Sequence, residues 1–222
     1  MKRTNRINWV GYFIELLVVI IGVTAAFWLN RFEDNRRDRS LENRYLSGLQ
    51  ADLAADFAEM QNLLADMKKS EVSVNLLIDL LTRSEIPLDS LPPLVPVLAE
   101  GFHFAPHNTT FETMKSAAGL QIIDNFELKN RIVALYNSYE QVQFTEEIHF
   151  HFVREQITPY LFRIFNMKEQ AILNRALLSE KEFLNLSLGF LTALQQQEQT
   201  LQNASLMCRE TIAAIAANLE RR

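Results

Sequence analysis

Residues 9–29, WVGYFIELLVVIIGVTAAFWL, are 21 consecutive positions with a single charge, Glu15. About 20 apolar residues in a helix cross a hydrocarbon core of about 30 Å, so a run of this length must be shielded from water by lipid or by protein. The two tryptophans, Trp9 and Trp28, stand 19 residues apart, or about 28 Å at the helical rise. That separation puts one at each membrane–water interface, where tryptophan prefers to sit. The expected organisation is a basic tail over residues 1–8, a transmembrane helix over 9–30 and a remaining domain over 31–222. Val23-Thr24-Ala25 has the small residues of a signal-peptide cleavage site, but the apolar run continues to Leu29, past the point where a secretory signal's shorter core would end.

Lys2, Arg3 and Arg6 form a positive cluster without an acid, whereas Arg31–Arg44 mixes five arginines with Glu33, Asp34, Asp38 and Glu42. The unmixed cluster places the tail in the cytoplasm and the bulk of the chain on the far side, the periplasm in a bacterium.

Within the span the acid is not placed at random. On a wheel of about 100° per residue with Gly11 at zero, Gly22, Glu15 and Ala26 all fall within about 60°. Small residues on one face let helices approach closely in a bilayer. A carboxylate there is expected to bond across the contact to another transmembrane helix, either of a second copy or of another membrane protein. Two other roles compete. Glu15 lies about 9 Å along the helix from Trp9, close enough to the surface to be hydrated, and it could also act as a protonatable group in an ion-coupled complex.

The rest of the chain reads as all-α. Five of the six prolines fall between Pro87 and Pro106, and elsewhere strand-and-turn punctuation is missing. A helix capped by Asp38 or Ser40 should carry Leu46, Leu49, Leu53, Phe57, Met60, Leu64, Met67, Val74, Leu77 and Leu81 on one stripe, with a period short of a clean heptad. Residues 86–106 cannot form a long helix, yet are apolar enough to pack down. Thr109 with Glu112, and Asp124 with Glu127, have capping-box spacing, and Gly119 suits a left-handed helix end. A helix should then run to about Ile157, ahead of Pro159, and a last one over about 180–220. Together these give an antiparallel helical bundle.

Chemistry-bearing patterns are sparse. Net charge is −5, which argues against nucleic acid. The one cysteine, Cys208, permits no internal disulfide. Glu146-x-x-His149 has the spacing used by di-iron bundles, but those need the motif on two helices and two further carboxylates. Neither His103 nor His107 offers a second copy, and the pair spans Pro106. Asn108-Thr109-Thr110 is formally a glycosylation sequon. Phosphate loops and nucleophile elbows are absent. The expectation is a protein without catalytic residues, cofactor, metal or small-molecule substrate.

Two stretches carry a resemblance. IELLVVIIGVTAAFWLNRFED, residues 14–34, resembles the opening of an uncharacterised family of bacterial single-pass inner-membrane proteins, known only as a domain of unknown function. Its helix has the form Glu-x-Leu-Val-Val-x-x-Gly, matched here by Glu15 and Gly22, with Asn30, Phe32 and Glu33 at the exit. Trp28 and Arg31 depart from its usual Gln and Asn. TFETMKSAAGLQIIDNFELKNRIVALYNSY, residues 110–139, is similar to the family's second block, although Ala117-Ala118 lengthens the turn before Gly119. The resemblance implies a bacterial inner-membrane location and makes the Glu15 stripe a family feature; it implies no activity. The functional expectation is a non-enzymatic membrane-anchored scaffold or accessory subunit assembling through its span. The alternative is a signal- or force-transmitting subunit of an ion-coupled complex.

Overall fold

The computed structural model describes residues 9–83, 85, 87–117 and 119–221, except for the side chains of residues 9–12 and 14. The basic tail and the side-chain positions of Trp9 and Gly11 therefore lie outside the described residues.

Helix α1 runs from Trp9 to Leu81 without interruption, 73 residues, a length of about 110 Å. No cap forms at Asp38 or Ser40, because the helix passes straight through both. The reason is local: no Gly or Pro occurs between Val23 and Ser47, and Glu33 precedes Arg36 and Arg37 by three and four residues, spacings at which opposite charges support a helix.

After α1 the proline-rich stretch folds into short 3-10 turns at Leu88–Ser90 and Val95–Ala99, and Leu91, Val95 and Leu98 are fully buried. Helix α2 (Thr109–Ser116) starts behind Asn108, whose side chain makes no capping bond, so the Thr109–Glu112 capping box does not form. Helix α3 (Phe126–Phe152) is capped by Asn125, whose side chain accepts the Leu128 N–H at 3.1 Å. The cap is thus one residue later than Asp124, whose own N–H is held by buried Glu42 at 3.3 Å.

At its far end α3 loosens into a π turn, Val153–Ile157, before helix α4 (Thr158–Ile164). Pro159 explains this turn, since a proline in a helix removes one N–H and crowds the carbonyl four residues back. The Thr158 N–H reaches the Val153 carbonyl five residues back. A two-stranded hairpin, β1 (Phe165–Asn166) and β2 (Ala171–Ile172), and helix α5 (Arg175–Leu178) lead into helix α6 (Lys181–Glu220). Its bounds match the sequence expectation.

The bundle is a three-helix packing with a hidden heptad. On α3 a buried stripe runs through Leu128, Ile132, Leu135, Tyr139, Val142, Glu146 and His149 in steps of four and three, with Tyr136 and Thr145 buried beside it. Helix α6 keeps the same rhythm from Phe183 to Asn218, through Ser187, Phe190, Leu194, Gln197 and Leu201. On α1 the sevenfold repeat is Leu46, Leu53, Met60, Met67 and Val74, all fully buried. The expectation of an irregular period is therefore corrected, since these spacings are those of knobs-into-holes packing. The repeat was masked because Asp56 and Ser70, both buried, occupy intervening core positions.

Helix α6 runs antiparallel to both partners. Cys208 meets Leu53 and Gln195 meets Glu71, while Arg131 meets Glu210 and His149 meets Phe190. Helices α1 and α3 both pack on α6 but barely on each other. The space between them is filled by the connection over 87–125, which inserts Phe104, Phe111 and Met114.

Gly119 does not adopt the left-handed conformation. It opens a 3-10 turn and is needed for close approach instead: a Cβ there would lie 2.9 Å from the Tyr45 ring and 3.1 Å from the Met114 Cα. Gly119→Ala is expected to cost about 1–3 kcal/mol through overpacking, read as a lower urea midpoint at unchanged slope.

Candidate functional site

Two places on the molecule depart from ordinary bundle packing. The first is the N-terminal part of α1. An 18-residue window there has mean hydropathy 1.6 and none of it is buried, so among the described residues one helix is long and apolar enough to cross a membrane. Leu16, Val18, Ile20, Ile21, Val23 and Phe27 are all exposed. Glu15, Gly22 and Ala26 are exposed as well, and a Cβ on Gly22 would meet nothing within 4 Å. Helical continuity keeps the three on one stripe, and Trp28 stacks on Phe32 at 6.2 Å at the end of the run.

The second place is a strap, residues 101–107, crossing the space between α1 and α3. Its sequence, GFHFAPH, favours extension because the residue before a proline avoids the helical region. An extended segment leaves its backbone groups without ladder partners. Here the bundle supplies them from polar residues set into the heptads of all three helices. From α1, Asp56 Oδ1 accepts both the His107 backbone N–H and an Nδ1 contact, each at 2.8 Å. Glu59, also from α1, accepts the Ala105 N–H at 3.3 Å. From α3, Glu146 accepts the Phe104 N–H and holds His103 Nδ1, both at 2.9 Å. From α6, Gln197 Nε2 donates to the Phe102 carbonyl at 2.8 Å. Between these clamps Phe104 is fully buried, edge-on to Tyr139 with ring centroids 5.1 Å apart.

The electrostatics follow from the burial. Asp56 is fully buried, and desolvation raises its pKa despite the two bonds from His107. Glu146 is raised for the same reason against the opposing bonds from Phe104 and His103. His107 is raised by its hydrogen bond to Asp56, with the charges of Asp56, Asp52 and Glu59 adding to it. Tyr139 sits beside Asp56 and Cys208, and burial raises its pKa. Burial also pushes the Cys208 thiol up to about 11, and its Sγ donates to the Leu53 carbonyl at 3.2 Å, so it is no ready nucleophile.

Glu146 and His149 share α3, but the structure turns them to different tasks. Glu146 serves the strap. His149 is buried edge-on against Phe190 at 4.9 Å, and burial lowers its pKa. Among the described residues no cluster of three or more His, Cys, Asp or Glu could hold a metal ion. The sequence singled out His103 and His107 only as a failed helical pair; their shared role on the strap depends on acids 43 and 51 residues away.

Beside the strap lies a groove of about 530 Å³, lined by Phe102, His103, Gln143, Glu147 and Phe150. Across Glu147 is a second concavity of about 550 Å³, lined by Phe144, Ile148, His151 and Phe152.

No protein-family model matches the chain, and neither a curated protein nor a solved structure matches it.

Proposed function

We propose that this chain is a non-enzymatic, membrane-anchored helical scaffold or accessory subunit that assembles through its N-terminal helix. The observation that carries the reading is an apolar helical run with no burial inside the protein, continuous with a well-packed bundle. Water is an unfavourable neighbour for such a surface, and lipid or a second helix is a favourable one. The proposed location is a bacterial inner membrane with the bundle in the periplasm, as the unmixed N-terminal positive charge favours. The proposed kinship is with the single-pass family that the Glu15 and Gly22 motif resembles. Gly11, Glu15, Gly22 and Ala26 form the proposed helix contact, with Trp9 and Trp28 as interface anchors.

The test is native mass in mild detergent, wild type beside Glu15→Leu. A defined oligomer that falls to monomer in Glu15→Leu is the expected result, because an unpaired acid in hydrocarbon favours association through a hydrogen bond. A monomer in both samples would sink the reading. Glu15→Gln separates this role from proton coupling: a scaffold keeps its mass and function with an amide, whereas a proton-coupled element loses function.

A further inference from the structure

The outward face of α3 is unusual for a helix of a water-soluble bundle. Phe144 is 57% exposed, Ile148 42% and Phe150 59%. Phe144 and Ile148 stand one helical turn apart and line one concavity, while Phe150 lies across Glu147 and lines the other. Exposed apolar residues scattered singly are ordinary, but a contiguous set beside concave surface marks an interaction site.

The charges on this face have one sign left over. Arg154 is occupied: its guanidinium lies 5.6 Å from the Phe150 ring centroid and 3.1 Å from Glu155. His103 is paired with Glu146. Glu147 and Glu140 are exposed and make no ion pair among the described residues. They are separated by seven positions and so share a stripe, with Phe144 between them. An apolar stripe of Phe144 and Ile148, bordered on the Phe150 side by unpaired carboxylates, complements a helix that is apolar on one face and carries Lys or Arg along its edge.

A second copy of this chain fits poorly. A two-fold axis through the face brings each patch against itself, placing the Glu140 and Glu147 carboxylates of one copy near those of the other. Like charges so juxtaposed oppose association.

We infer that the outer face of α3 around Phe144, Glu147, Ile148 and Phe150 docks a basic amphipathic helix of a different protein, which lies along α3 as a fourth bundle helix. The site stands about 70 Å along α1 from the end of the apolar run, since His149 is level with Phe190 and Glu71 is level with Gln195. The inference rests on the bundle alone and holds whether or not α1 assembles in a membrane.

The experiment is fluorescence anisotropy on the full chain in mild detergent. Two labelled synthetic helices are compared, with identical Leu and Phe positions and either Lys or Glu on the flanks. The Lys peptide is expected to bind at least about tenfold tighter than the Glu peptide. Glu147→Lys should abolish that preference. Phe144→Ser combined with Phe150→Ser should weaken the Lys peptide by about tenfold or more. Glu220→Lys, the same charge change at the opposite end of the bundle, should leave it intact. All samples share one micelle, so differences between variants report the groove and not the detergent. These side chains are exposed, so unchanged helicity and urea midpoint in each variant show that the fold survives. The proposal is overturned if neither peptide binds, if both bind alike, or if the Lys preference survives Glu147→Lys. It is equally overturned if the wild type forms a dimer that the double serine variant dissolves, since the occupant would then be a second copy.

Discussion

Phe104→Ala is expected to be among the most damaging single substitutions in the chain, lowering the stability of the bundle by about 3–5 kcal/mol. Phe104 is fully buried at the centre of the strap and packs edge-on against Tyr139. Its removal opens a cavity where α1, α3 and α6 all address the same short segment. Helices α1 and α3 have little direct contact with which to close the gap. The strap cannot collapse inward either, because Asp56, Glu146 and Gln197 hold its backbone at fixed points. A urea melt followed by far-ultraviolet circular dichroism measures the loss. A change under about 1 kcal/mol, within the range of tolerated volume-conserving swaps, would show that the strap is a surface ornament and not part of the core.

The second effect expected is a dependence of bundle stability on pH, with a fall from pH 6.5 to pH 8.5. His107 has its folded pKa raised above 6.5. Its stabilisation is complete below the unfolded value and is lost as pH rises through the raised one. Asp56 and Glu146 are also raised, from 3.8 and 4.5, and their contributions likewise fall as pH rises. His149 is lowered from 6.5, so its contribution is present above that value and is lost as pH falls through the depressed one. The thermal midpoint should therefore drop from pH 6.5 to pH 8.5 on account of the strap. Below pH 6.5 His149 acts in the opposite sense to Asp56 and Glu146. His107→Asn should shrink the fall between pH 6.5 and pH 8.5, and His149→Phe should leave that fall in place while raising stability in acid relative to the wild type. His107 is half exposed, so solvent screening keeps its share modest. A midpoint that rises between pH 6.5 and 8.5 in the wild type would refute the assignment.

These two expectations lie in the part of the molecule that sequence patterns conceal. The helical class, the last helix and the apolar N-terminal run are all written in local spacing, and the structure has them where the spacing puts them. The heptad is a different matter. Asp56, Ser70, Glu146, His149 and Gln197 sit at core positions, and a polar residue in such a slot reads as a break in the stripe. Their reason is tertiary, since three of them, Asp56, Glu146 and Gln197, hold the backbone of a strap that has no ladder partner. Acid and partner are separated by 51 residues for Asp56 and His107, and by 42 for Glu146 and Phe104. Nothing in either neighbourhood announces the other. The caps missed by one position because Asn125 and Asp124 are both competent; Glu42 on α1 holds the N–H of Asp124. The hairpin at Phe165–Ile172 has two-residue strands, too short for alternation to register. Gly119 is a special position for a reason its spacing does not carry: the ring of Tyr45 excludes a side chain there.

The unbroken course of α1 has a mechanical corollary. A hinge between an anchor and its cargo lets each reorient freely, and this chain has none between Trp9 and Leu81. In the membrane-anchored arrangement proposed above the helix would act as a crank. Pivoting about the middle of the apolar run, a tilt of about 10° swings the far end of α1 sideways by about 15 Å, given a rise of about 1.5 Å per residue over the intervening length. Axial rotation of the anchor turns the bundle through the same angle. Small adjustments of lipid thickness or helix contact at one end would, in that arrangement, become displacements as wide as a helix at the other.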